Sequence, residues 1–262
     1  MSESLPAIFV SHGPPTLPLE RLEARDFLSG LAGQLPRRPR AILAISAHWE
    51  TKQHAVTVRT RQAALYDFYG FPPALYDMTY APPGDIELAH RAAVLLEGAG
   101  IPVQANPDRE LDHGVWTPLS LVFPEADIPV VQLSLRADAD TRHHLAVGRA
   151  LAPLRDDGVL ILCSGNVTHN LREWQRLAQA GETQTPTWVT DFQEWVAERV
   201  SNGEDEALCD FATHPNGRRN HPTDEHFMPF FVAMGAGGLE DSHRLHESIC
   251  YSVLAMDAYS FG

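Results

Sequence analysis

The chain has 262 residues, with 20 basic against 34 acidic side chains and a formal charge of −14 when histidine is neutral. A hydrophobic content of 44% supports a sizeable core and argues against wholesale disorder, while the acidic balance excludes general binding to a phosphate backbone. No apolar run approaches the roughly 18 residues that span a bilayer, and the opening MSESLPAIFVSHGPP lacks the basic segment of a secretory signal. Three cysteines (Cys163, Cys209 and Cys250), odd in number and without CxxC spacing, indicate neither a disulfide framework nor a thiolate zinc site. The expectation is a cytoplasmic protein without membrane or nucleic-acid partners.

In chain order, Ala7–Val10, Ala41–Ile45 and Ala55–Val58 read as strands, continuous rather than alternating and so suited to burial on both faces. Tyr66–Gly84 is a long irregular segment rich in aromatic residues and proline. Its two readings are a functional loop and a plug for one end of the sheet. Asp85–Glu97 reads as a helix, with Ile86, Ala89, Ala93 and Leu96 on one face and Gly98 and Gly100 at its end. Pro129–Leu133 and Val159–Leu162 are further strands. Arg142–Leu154, Thr187–Val200 and Phe227–Met234 read as helices, and Tyr251–Met256 as a late strand near an edge. Strands alternating with helices predict an α/β sandwich around a central, largely parallel or mixed sheet, and the absence of repeats or linkers predicts one domain over residues 1–262. No heptad or exposed apolar stripe sets an oligomeric state.

Among 13 histidines, four share a topological context. His12, His48 and His169 each follow a predicted strand, and His226 immediately precedes a predicted helix. Ligands of open α/β sheets gather beyond the carboxyl ends of parallel strands, so these exits converge on one crevice. Neutral imidazoles from separated positions are a usual shell for one zinc or non-haem iron ion. Taken singly, each is more commonly a surface or hydrogen-bonded residue. Their joint placement, with His12 and His48 directly beside Gly13 and Ala47, points to a site. His113 is not strand-following, which favours an acid/base or supporting role, oriented by Asp112. His221 stands near enough to His226 to line the same site. His54, His90, His143, His144, His214, His243 and His246 lack this context.

The blocks SHGPP (His12), ISAHWE (His48), LDHGVW (His113), SGNVTHNLR (His169) and HPTDEHFMP (His226) occur in an order and spacing that resemble the 4,5-DOPA dioxygenase-like branch of the class III extradiol ring-opening dioxygenases. The blocks run from near residue 6 to about residue 235. The resemblance implies a phosphorylase/hydrolase-like α/β fold and one mononuclear divalent metal held by His12, His48 and His226. It places His169 at the acid/base position, also recruited to the metal in zinc-bound members, and His113 near the substrate hydroxyl. Many class III enzymes use two His and one Glu; here the third position is His226, a shell friendlier to zinc. Glu225, adjacent, is expected to point elsewhere.

The reaction so implied is extradiol cleavage of a small aromatic diol by O2, with Fe(II) for ring cleavage and Zn(II) in the protein as isolated. His169 is expected to titrate near neutrality. Trp49, Tyr66, Tyr69 and Trp116, with His221, are expected to form the substrate slot. Two other readings stand beside it: a zinc hydrolase using Glu50, Asp112 or Glu225 as base, and a non-catalytic zinc-stabilised protein. The net charge disfavours strongly anionic substrates unless Arg59, Arg61, Arg136 or Arg172 reverses that at the site.

Overall fold

Residues of one parity in β1 (Ala7–Ser11) bury Ala7 and Phe9 on one side of a sheet, and the other parity buries Ile8 and Val10 on the opposite side. The two faces must therefore both be covered. The computed structural model describes residues 4–262; the first three positions of the expected domain lie outside the described residues. After β1 come α1 (Glu23–Leu31), β2 (Ala41–Thr51), β3 (His54–Thr57), α2 (Pro73–Tyr76), α3 (Ile86–Gly98), β4 (Val103–Asn106) and α4 (His113–Val122). Next follow β5 (Val130–Arg136), α5 (Thr141–Leu151), α6 (Pro153–Asp156), β6 (Val159–Gly165), α7 (Leu171–Ala180) and α8 (Thr187–Ser201). The chain closes with α9 (Asp205–Cys209), α10 (Gly217–Asn220), α11 (Met228–Gly237), β7 (His243–His246), β8 (Ile249–Cys250), β9 (Leu254–Ala255) and β10 (Ala258–Phe261).

Eight strands form one mixed sheet in the order β4-β3-β5-β2-β6-β1-β10-β7. Its centre, β5-β2-β6-β1, is parallel; β3 and β10 run antiparallel on either flank. Helices α3, α5, α8 and α11 cover one face through residues such as Leu96, Leu151, Phe192 and Phe230. On the other face, α1 and α4 contribute Leu28, Leu31, Trp116 and Leu119. Each such fully buried side chain contributes about 1.5–3 kcal/mol relative to exposure. The architecture is the expected α/β sandwich.

Local chemistry explains the boundaries. Asp85 caps α3 by accepting from the Leu88 amide at 2.8 Å. The helix expected over 142–154 is divided at Ala152, because Pro153 starts α6 and has no amide to continue α5. The late strand expected at 251–256 is corrected: Tyr251 and Ser252 take φ of 51° and 63° in a turn, and only Leu254–Ala255 pairs, with β8. The terminal strand of the main sheet is β10, lying inside it between β1 and β7.

Candidate metal centre and active site

Four chain segments deliver histidines to the carboxyl ends of β1, β2 and β6. His12 follows β1 directly, its amide bonded to the Gly165 carbonyl at 2.9 Å. The next residue, Gly13, has φ of 60°, and a side chain there would press on Met256. His48 is not beyond its strand but inside it. Between Ile45, opposite Leu133, and Glu50, opposite Leu135, β2 spends five residues against two on β5. That wide bulge turns His48 toward the crevice. His226 is held by the bond from the Asn166 amide to its carbonyl at 2.8 Å, and a Cβ on Gly165 would collide with that carbonyl. His169 lies in the loop after β6, its amide bonded to the Asn220 carbonyl at 3.0 Å. Asn170 then caps α7 through the Glu173 amide.

The ring nitrogens are set by hydrogen bonds on their far sides. Pro118, inside α4, has no N–H for the Gly114 carbonyl four residues earlier. The Ser164 hydroxyl donates to that carbonyl instead, and so accepts from His12 Nδ1–H at 2.9 Å. His12 Nε2 is thereby left as a bare lone pair. His226 Nδ1–H donates to Glu225 Oε1 at 2.8 Å, leaving a buried Nε2 without a partner. His113, first residue of α4, donates from Nδ1 and from its backbone amide to Asp67 Oδ1 at 2.8 and 3.1 Å. Such outer partners fix tautomer and ring direction for metal ligation.

The free nitrogens then converge. His12 Nε2 and His48 Nε2 are 3.0 Å apart, a separation that needs a proton or a cation between them. Ring centroids lie 5.4 Å apart for His12 and His226, 4.9 Å for His48 and His226, and 3.9 Å for His48 and His113. Two groups bring ligand atoms within 4.8 Å of one another: His12 with His48 and His113, and His169 with Glu225 and His226. The His169 and His226 rings stack at 3.4 Å. Burial, reinforced by the neighbouring imidazoles, holds His12 and His226 well below the ordinary histidine range and takes His48 down to about 3. All three are neutral imidazoles at pH 7. Such a set of neutral imidazole donors, one with an orphaned buried nitrogen, fits a divalent transition metal.

Above these rings opens a cavity of about 460 Å³. His12, His48, His113, His169 and His226 form its floor; Pro14, Pro15, Phe71, Leu171, Trp174 and Leu254 form walls, with Gly13, Thr16 and Tyr251 completing the lining. Burial pushes His169 down to about 4, below the expected near-neutral value, so it enters as an empty proton acceptor.

The aromatic residues expected in the slot are placed elsewhere. Trp116 is fully buried with its indole bonded to the Leu65 carbonyl at 3.0 Å, and Tyr66 packs edge-on against it while its hydroxyl bonds the Met78 carbonyl. Trp49 is buried under the Arg109 guanidinium, and Tyr69 is 92% exposed. His221 is buried behind the site, bonded to the Val167 carbonyl at 2.7 Å. These residues missed because aromatic content marks a loop without showing which rings turn inward. Asp112 does not orient His113; it accepts from Arg109 and Gln132. Glu225 does not point away, but bonds His226.

Sequence reasoning passed over Asp67, Ser164, Leu171, Trp174 and Tyr251. Asp67 lies in the loop singled out for its composition, and Leu171 and Trp174 share a face of α7 at helical i,i+3 spacing directly after His169. Those were the available signals.

Residues 6–262 match the family described as the catalytic LigB subunit of aromatic ring-opening dioxygenase. The chain is 40% identical to a beet (Beta vulgaris) protein named 4,5-DOPA dioxygenase extradiol, covering 97% of this chain and 95% of that one. An Escherichia coli K12 protein of the same name is 39% identical, over 90% of this chain and 86% of its own. A crystal structure of an uncharacterized E. coli K12 protein superposes with a TM-score of 0.81 at 34% identity, covering 98% of this chain and all of the other.

Proposed function

The chain belongs to the LigB family of aromatic ring-opening dioxygenases, which implies a metal cofactor and an aromatic substrate cleaved with O2, and from that membership we propose that it is a cytoplasmic extradiol dioxygenase opening catechol-type rings. The observation that carries the reading is the approach of His12 Nε2 and His48 Nε2 to 3.0 Å, beside the orphaned His226 Nε2, at the floor of an apolar cavity. His12, His48 and His226 would hold one divalent ion, Fe(II) for turnover and Zn(II) in the protein as isolated. His226 is preferred to His113 as third ligand because its buried nitrogen otherwise goes unpaired, a cost of about 1–3 kcal/mol. Once bound, the ion would acidify the diol and mediate electron transfer between it and O2.

The protein's own groups do the rest. His169, neutral through burial and with ring nitrogens unpaired among the described residues, faces the cavity and takes a hydroxyl proton, then returns it as the O–O bond breaks. Its place against His226 also makes it available to a zinc ion. His113, locked by Asp67, turns its other nitrogen to the cavity to hydrogen-bond the substrate hydroxyl. The apolar walls exclude water and clamp the ring between Phe71 and Trp174. A hydrolase reading finds less support: Asp112 and Glu225 are engaged with Arg109, Gln132 and His226. Reconstitution with Fe(II) under anaerobic conditions, followed by O2 uptake with a catechol panel, tests the proposal. A ring-opened semialdehyde should form with one O2 consumed per diol; no uptake with any diol refutes it.

A further inference from the structure

We infer that this site selects catechols whose ring substituent is uncharged and apolar, and disfavours amino-acid and carboxylated catechols; the inference rests on the ring-cleavage reading above. The first observation is the wall chemistry. Beyond the histidine floor, a substituent meets Pro14, Pro15, Phe71, Leu171, Trp174 and Leu254. No lysine or arginine stands among the described lining residues.

Each arginine that might have supplied a cation is placed elsewhere. Arg59 bonds the Pro107 and Asp108 carbonyls, and Arg136 is paired with Asp138. Arg61, whose backbone bridges to Pro83, is exposed and is not among the residues lining the cavity. Arg172 sits one residue after Leu171, but at 3.6 residues per turn it points roughly 130° away from the Leu171–Trp174 face of α7. Arg109 lies under the floor, bonded to the His48 carbonyl and Asp112.

Apart from Arg109 under the floor, the charges placed closest to the lining residues are negative. Glu225 and Asp67 each stand 2.8 Å from a floor histidine. Near the mouth, Glu20 accepts from Tyr251 and Thr16. A carboxylate entering here loses water, gains no counter-ion on the walls and meets like charges. An ammonium fares better electrostatically, but the nearest mouth carboxylate already spends its oxygens on two hydroxyls and is screened behind them. An alkyl chain gains contact area at every step.

Two measurements test this. On the Fe(II) enzyme, kcat/KM from O2 uptake is compared for catechol, 4-methyl-, 4-ethyl- and 4-butylcatechol, dopamine, DOPA and 3,4-dihydroxyphenylacetate. Each added methylene should raise it about threefold, placing 4-butylcatechol at least 30-fold above either carboxylate-bearing diol and above dopamine. On the redox-inert Zn(II) form, tryptophan fluorescence titration should give the same order of affinities without turnover. Tighter or equal binding of DOPA or the phenylacetate overturns the inference. Absence of O2 uptake alongside the neutral-first binding order overturns the ring-cleavage reading alone. Leu171→Arg, at the 44% exposed first residue of α7, should improve binding of the phenylacetate at least tenfold, and Trp174→Ala should flatten the chain-length gain. Unchanged selectivity in both variants would also overturn it.

Discussion

Ser164→Ala isolates the chain of contacts that points His12 at the metal. The wild-type hydroxyl accepts from His12 Nδ1–H at 2.9 Å and donates to the Gly114 carbonyl that Pro118 leaves without a helical donor. Both groups are buried, so the variant strands one N–H and one C=O at about 1–3 kcal/mol each, or about 2–6 kcal/mol of folding stability together. Tautomer control is lost at the same time. With Nδ1 no longer held as the donor, the Nε2–H form of His12 becomes accessible and blocks the ligating lone pair, which by analogy with other outer-partner losses costs about 10–100-fold in metal affinity. Competition titrations with a zinc indicator measure the affinity, and urea unfolding of the metal-free protein measures the stability separately. A variant that binds Zn(II) within twofold of wild type refutes the argument that the Pro118–Gly114–Ser164 path sets His12, whatever its stability.

Three more outcomes are expected. His226→Gln should abolish stoichiometric metal binding, whereas His113→Asn should keep the metal and lose turnover; metal content by elemental analysis separates the two, and the reverse pattern would make His113 the third ligand. His169→Gln should lower kcat by about 10²–10⁴ with KM little changed if it carries the proton, and an unaffected kcat assigns that step elsewhere. Burial holds His144 at about 4 and His221 at about 3, against an ordinary 6.5. Folded, these residues stay neutral while the unfolded chain protonates, so stability is lost as pH falls below 6.5, at about 1.4 kcal/mol per pH unit for each. Urea unfolding at pH 6.5 and 5 should show a drop of about 3 kcal/mol from the pair, since the unfolded histidines are already half protonated at pH 6.5, reduced in His144→Gln; a flat profile would contradict the burial argument.

The positions that sequence alone made legible share one property: a local chemical signal. Continuous aliphatic runs located β1, β2, β5 and β6, because strands buried on both faces cannot alternate. Asp85 and the glycines after Leu96 bounded α3 through backbone rules that act within a few residues. Histidines following strands pointed to one sheet edge, since parallel strands all end on the same side. Short β10 gave no such signal, being only four residues long, and the more alternating run just before it turned out to be a turn.

Tertiary structure alone decided which groups touch. Asp67 reaches His113 across 46 residues and Ser164 reaches His12 across 152, separations at which no periodicity constrains a partner. The same holds for the aromatic residues: Trp116 went to the core, Tyr66 stayed partly exposed against it, and Phe71 and Trp174 lined the cavity, a choice made by how whole layers pack. Residue type along the chain thus determined that imidazoles would gather at the carboxyl edge of a parallel sheet. Which nitrogen each presents, and what kind of substituent fits above them, follow from contacts that exist only after the layers have closed.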